Sequence, residues 1–196
     1  QFSMVPLNLK QENRPAYLIN TGSWSHNAYK EIIKETNCDI IASSEDTNFT
    51  YIPEINESVF NNPASFAYLC SNNTIFGTQF KSYPDTKEIP LVADMSSDIL
   101  SKKLNIANFG LIFACAQKNI GPAGITLVII RKDLLDRSDN SLPSMLNYNS
   151  FVKSNSLFNT IPTFGVYMIS LMTDWLTRQG GLEAIERRNK EKAHLL

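Results

Sequence analysis

Phe109-Gly-Leu-Ile-Phe-Ala-Cys-Ala-Gln-Lys-Asn-Ile-Gly-Pro-Ala-Gly124 decides the fold. An apolar run, 111–116, ends in Gln117-Lys118. A turn rich in glycine and proline follows, and then a second apolar run, 125–130. The pattern reads as strand, tight turn, strand, with one lysine at the break. The first run has no polar alternation, which suits a strand buried on both faces. The second is β-branched and strand-like. The short turn before it predicts antiparallel pairing with the first, because a parallel crossover needs more chain. Gly121, Pro122 and Gly124 permit turn geometries that other residues resist. A lysine at such a rim, beside closely approaching backbone, is placed to lose its proton and attack a carbonyl. Strand-end lysines are also commonly no more than solvated charges, so Lys118 alone decides nothing.

A second anchor lies upstream. Ile89-Pro-Leu-Val-Ala-Asp94-Met-Ser-Ser97 is another short apolar run, and it ends in a carboxylate followed by hydroxyls. Neighbouring parallel strands would bring Asp94 and Lys118 to one carboxyl-end edge, where open α/β sheets bind ligands. Pyridoxal phosphate needs this pair: a lysine for its Schiff base, and a carboxylate that keeps the pyridine nitrogen protonated so that the ring acts as an electron sink. Taken alone, Asp94 reads equally as a helix N-cap or a turn residue.

Val92-Ala-Asp-Met-Ser-Ser-Asp-Ile-Leu-Ser101 and Ala116-Gln-Lys-Asn-Ile-Gly-Pro-Ala-Gly124 resemble the phosphoserine aminotransferase family, class V enzymes of the fold-type I pyridoxal phosphate group. The likeness extends well beyond these two segments. It implies an α/β fold, the large domain of a fold-type I enzyme, with a mostly parallel sheet flanked by helices. It further implies Lys118 as the Schiff-base lysine, Asp94 as partner of the pyridine nitrogen, Gln117 near the cofactor phosphate and Trp24 stacked on the ring. Thr74 would hydrogen-bond the cofactor. Asn159 and Thr160 would reach across a homodimer interface to the phosphate held by the partner subunit. The family more usually has glutamate where this chain has Asn73.

The implied reaction moves an amino group from L-glutamate to 3-phosphohydroxypyruvate, giving O-phospho-L-serine and 2-oxoglutarate, in serine and vitamin B6 biosynthesis. The resemblance places 1–180 in the cofactor-binding domain, incomplete at its start. It makes 181–196 a helix leading towards a small C-terminal domain. Two alternatives stand beside this reading: another class V fold-type I enzyme (an aminotransferase or a desulfurase), and a non-catalytic fragment.

The residues read in order fit that frame. Met4, Leu7 and Leu9 suggest one face of a helix. The runs 16–20, 38–42 and 65–70 read as strands. Trp24 falls in the turn after the first of them, with Ser23 or Ser25 as cap of the next helix; a turn tryptophan also reads as core packing. Residues 45–62 suggest a loop with one strand and a short helix, and 71–77 a turn in which Thr74 also suits a plain β-branched role. Ser96 and Ser97 suggest the cap of a short helix through Lys103. Residues 137–156 read as loop. Asn159 and Thr160 also suit a turn and N-cap, and 162–179 an apolar helix whose methionine–aromatic stripe belongs in the core. Gly180-Gly181 ends it.

Composition narrows the class. A net charge of −1 offers no bulk field for nucleic acid or membrane. No apolar stretch approaches the roughly 20 residues of a membrane span. The three cysteines are scattered, without metal or disulfide spacing, and there are two histidines, so a zinc site or histidine triad is not expected. A reduced, cytoplasmic protein with small-molecule substrates is the expectation.

Overall fold

The computed structural model describes residues 1–195. Its elements in chain order are α1 (Met4–Leu9), β1 (Ala16–Asn20), α2 (Ser23–Ile32), β2 (Cys38–Ser43), β3 (Ala67–Cys70), the hairpin β4 (Asn72–Asn73) and β5 (Thr78–Gln79), β6 (Leu91–Asp94), β7 (Leu111–Cys115), β8 (Thr126–Ile130), α3 (Tyr148–Lys153), α4 (Thr163–Arg178) and α5 (Gly181–His194). Six strands form the main sheet in the order β2-β1-β3-β6-β7-β8. All neighbours pair in parallel except β7 and β8, which run antiparallel from Leu111 opposite Ile130 to Cys115 opposite Thr126.

The parallel strands read as unbroken apolar runs because both sheet faces are covered. Leu18, Tyr68, Val92, Leu111 and Phe113 face α1 and α2, meeting Val5, Leu9, Ala28 and Ile32. Ile19, Leu69, Ala93, Ile112 and Ala114 face the other way, onto Phe60, Phe80, Met95, Ile99 and Phe109. That second layer is mostly loop and short 3-10 turns, filled by aromatic side chains, with Ile169 of α4 packed against it. Each such side chain contributes about 1.5–3 kcal/mol on full burial.

Several expectations change. The connection from β7 to β8 spans 116–125 and begins with a 3-10 turn (Ala116–Lys118), so it is longer than the tight turn expected. Antiparallel pairing survives because the turn folds back on itself, with Ile120 and Gly121 amides both donating to the Ala116 carbonyl. In α1 the buried residues are Val5, Pro6, Asn8 and Leu9, because Met4 and Leu7 lie towards the half-exposed side. Residues 45–62 hold two 3-10 turns and no strand. The stretch 137–156, expected as loop, contains α3, anchored by the buried Tyr148 ring. No helix follows Ser96. Residues 96–100 form turns, in which Asp94 Oδ1 accepts the Ser96 amide.

The largest correction concerns α4. Its stripe is not core: Phe164 is 71% and Tyr167 58% exposed, and Val166, Leu171 and Trp175 are exposed too. Only Gly165 and Leu176 are buried. Helical periodicity specifies an apolar face without saying what covers it. After the break at Gly180 (φ +93°), α5 returns along the molecule. It is held by Ile185, by the Lys103–Glu183 ion pair at 2.7 Å and by Asn189 donating to the Ser101 carbonyl at 3.0 Å.

Candidate active site

The carboxyl ends of β1, β3, β6 and β7 border a cleft of about 520 Å3. β2 and β3 lie on opposite sides of β1, so this end of the sheet includes the point where strand order reverses, the usual ligand position in such folds. In register, Cys70 pairs with Asp94, and Asp94 with Phe113. The main chain then runs two residues past Phe113 to Cys115 and into the 3-10 turn that carries Gln117 and Lys118. Asp94 and Lys118 therefore reach one edge from adjacent strands, as the sequence spacing suggested.

Trp24 is the second residue of α2 and lines the same cleft. Its placement depends on a tight turn. Gly22 (φ +153°) lies where an added Cβ would meet Phe76 Cδ2 at 2.8 Å. The hydroxyl of Ser25, rather than that of Ser23, accepts the Thr21 and Gly22 amides at 2.9 and 3.0 Å and lies 3.1 Å from Asn20 Oδ1. It reaches back from inside the first helical turn, in the manner of a capping residue. Lys118 Nζ sits 4.9 Å from the centroid of the Trp24 ring, a cation–π distance. Trp24 Nε1 is buried without a hydrogen-bond acceptor among the described residues.

Asp94 is buried, 7% exposed. Its Oδ1 accepts the Ser96 amide at 2.9 Å and the Ser96 hydroxyl at 2.6 Å. Burial raises its proton affinity above the usual carboxylate range, while the Ser96 hydroxyl and amide and the Lys118 charge pull the other way. Asp94 thus closes a local turn, as one reading of it expected, and its side chain also lines the cleft. Cys70 and Cys115 also line the cleft. Burial, reinforced by Asp94, pushes the Cys70 thiol far up, which leaves it unreactive. Both cysteines sit at strand ends rather than on a separate loop, which disfavours the desulfurase alternative.

The structure does not gather every expected residue. Gln117 lines the cleft. Thr74 is exposed in the β4–β5 turn and does not line it; Asn72, two residues earlier, does. Asn73 is buried and structural: its Oδ1 accepts the Thr21 hydroxyl at 3.1 Å and its Nδ2 donates to Thr78 Oγ1 at 3.1 Å, tying the hairpin to the loop before Trp24. Asn159 and Thr160 are exposed and outside the cleft, with Asn159 Nδ2 donating to the Thr160 carbonyl at 3.2 Å. Sequence reasoning missed Asn72, Ser97 and the role of Ser96. The Asp-Met-Ser spacing is an Asx-turn signal that could have found the bond from the Ser96 amide to Asp94, but not the one from Cys115. Among the described residues no group of three or more His, Cys, Asp or Glu could hold a metal ion.

The aminotransferase class-V family model matches residues 1–196. The chain belongs to the class-V aminotransferases. As a class-V chain it is 50% identical to the phosphoserine aminotransferase of Geobacillus kaustophilus and 51% identical to that of Desulfosudis oleivorans. In each case all of this chain aligns with 54% of the relative. Among solved structures it is similar to phosphoserine aminotransferase from Bacillus circulans subsp. alkalophilus (TM-score 0.94, 44% identity, all of this chain and 54% of that one). The pyridoxal-phosphate-bound phosphoserine aminotransferase of Trichomonas vaginalis has a TM-score of 0.87 at 35% identity, with 99% of this chain and 55% of that one covered. The class-V chain therefore spans about half the length of the curated relatives it matches.

Proposed function

We propose that the protein carrying this chain is a pyridoxal-phosphate-dependent phosphoserine aminotransferase, moving an amino group between L-glutamate and 3-phosphohydroxypyruvate to give O-phospho-L-serine and 2-oxoglutarate. The observation that carries the reading is the convergence of Lys118, Asp94 and Trp24 on one cleft at the carboxyl end of the sheet. The identities of about half, all to phosphoserine aminotransferases, favour that reaction over others in the class.

The residues fit the cofactor. A planar ring can lie against the indole face, and Asp94 Oδ2 has no hydrogen-bond partner among the described residues and is free for a cationic ring N–H. An amine stands over the same indole. The chemistry this group supplies when bound is an electron sink for negative charge at the substrate α-carbon. Lys118 Nζ would hold the group covalently and, as a free amine, would carry the proton between the substrate α-carbon and cofactor C4′. Asp94 holds the ring nitrogen protonated. Trp24 fixes the ring plane and keeps water from one face. Gln117, and Thr74 on the β4–β5 turn, would hold polar substituents.

The assembly belongs to the same proposal. Residues 1–180 form the cofactor-binding domain, and 181–196 lead towards a small domain. The protein is a cytoplasmic homodimer, in which exposed Asn159 and Thr160 reach the cofactor phosphate of the partner subunit. It takes small-molecule substrates, not nucleic acid or membrane, and also serves vitamin B6 synthesis. Three unpaired cysteines favour a reducing compartment, and no helix among the described residues is long and apolar enough to cross a membrane.

The test is an absorption titration with pyridoxal phosphate, borohydride reduction and peptide mapping. A visible band that borohydride bleaches, with label on Lys118 and loss of the band on adding glutamate, supports the reading. Label scattered over surface lysines overturns it and leaves a folded, non-catalytic chain.

A further inference from the structure

Ser96 has no place in the chemistry above, yet its hydroxyl joins the two strand ends that carry it. Ser96 Oγ accepts the Cys115 amide at 3.0 Å, at the end of β7, three residues before Lys118. An amide N–H can only donate. The single proton of the hydroxyl is therefore directed to Asp94 Oδ1, 2.6 Å away. Oδ1 also takes the Ser96 amide at 2.9 Å. Two donors on one carboxylate oxygen leave it no capacity to carry a proton as well. Any proton held or shared by this carboxyl must then sit on Oδ2.

We propose that Ser96 is a positioning residue for the transamination site: its hydroxyl makes Asp94 Oδ1 a pure acceptor, presents Oδ2 as the single basic atom towards the cleft, and clips that carboxylate to the strand end bearing Lys118. The inference rests on the pyridoxal phosphate reading for its consequence, but not for its geometry. Without the clip, Asp94 could rotate about its terminal torsion and offer either oxygen. A ring N–H would then meet an acceptor that has to be oriented at the moment of binding, and that ordering costs affinity. The relation is also vectorial. Cys115 N–H, Ser96 O–H and Asp94 form one directed chain, in which each bond polarises the next. Removing the hydroxyl takes away one of the two donors that favour the ionised carboxyl, in a place where burial opposes ionisation. The other ionisable groups facing Asp94 are Lys118 from the 3-10 turn, Asp98 from the turn after β6, and Cys70 and Tyr68 from β3. Among the described residues, none of them hydrogen-bonds to Oδ1.

The test compares wild type with Ser96→Ala, Ser96→Cys and Ser96→Thr in the whole protein. The first readout needs no cofactor: carbon-13 NMR titration of Asp94 in the apoprotein. The second is the dissociation constant for pyridoxal phosphate as a function of pH. Ser96→Ala should move the Asp94 midpoint upward and raise the dissociation constant about tenfold, the equivalent of one pKa unit. The loss should grow as pH falls through the carboxyl titration. Ser96→Thr, which keeps the hydroxyl, should restore both readouts. Ser96→Cys, of similar size but a weak donor, should behave like alanine, so the result stands even where alanine fails to fold. Unchanged midpoints in both donor-poor variants, or a loss that Ser96→Thr does not repair, would overturn the clip. A wild type that takes no cofactor would sink the functional reading instead, and the NMR titration would still decide the role of Ser96.

Discussion

Lys118 and Asp94 were legible because each is a charged residue that ends an apolar run, and buried strands tolerate charge only at their ends. Replacing Lys118 with alanine should abolish the borohydride label and transamination while leaving the far-ultraviolet circular dichroism of the fold intact, since the side chain is exposed. Burying the Asp94 carboxyl has a cost. This carboxyl titrates higher in the folded protein than in the unfolded chain, chiefly through burial. Between those two values the folded state binds more protons, so stability falls as pH rises through that window and stays lower above it. Asp94→Asn removes the titration but keeps an acceptor for Ser96. The apoprotein variant should therefore gain about 1 kcal/mol at neutral pH, the lower end of the cost of an incompletely paired buried polar group, and should lose the acid-side slope in urea unfolding. Its transamination rate should drop by at least about a hundredfold, since the ring-nitrogen partner is gone. A variant that is active and no more stable would contradict both statements. Ser96 was not legible as a functional residue. Its decisive bond runs to the Cys115 amide, on another strand, and no local pattern encodes that partner.

At the scale of elements, the 116–125 connection shows how a turn and a helix define one another. Gly121 was expected from turn chemistry alone. It is also a point of close approach: a Cβ there would lie 2.7 Å from Ile169 Cγ1 on α4. Gly121→Ala should cost about 1–3 kcal/mol by overpacking and loosen the turn that holds Lys118. Ile169→Ala should relieve part of that cost. A double-mutant cycle by chemical denaturation measures the coupling, and strictly additive penalties would show that α4 does not press on the turn. The strands β1, β2, β3, β6, β7 and β8 followed from apolar runs and β-branching. The 3-10 turns of 45–62 and helix α3 did not, because what orders them is burial of single residues such as Phe60 and Tyr148 against the sheet.

The whole molecule leaves Phe164, Tyr167, Leu171 and Trp175 exposed along one side of α4. Apolar patches of this size are a common feature of surfaces that pack against another segment or chain. Under the proposed homodimer, Tyr167→Lys combined with Leu171→Glu should shift the sedimenting species from dimer to monomer. It should also weaken pyridoxal phosphate binding, because Asn159 and Thr160 would lose their place at the partner's site. A double variant that remains dimeric and binds normally would assign the patch to another segment of the protein.

The sequence by itself determined the class of the sheet, the antiparallel return of β8, and the placing of Asp94 and Lys118 at one strand-end edge. These are properties of contiguous runs, where hydrophobic pattern and turn residues act over a few positions. The motif resemblance added a family that the full-length match bears out. Tertiary structure decided the rest. It set which oxygen of Asp94 is pinned, it kept Thr74, Asn159 and Thr160 out of the cleft of their own chain, and it put the α4 stripe at the surface. Each of these depends on contacts between residues far apart in the chain. A one-dimensional pattern specifies that a face is apolar or that a side chain can donate, but the partner is chosen only when the layers pack.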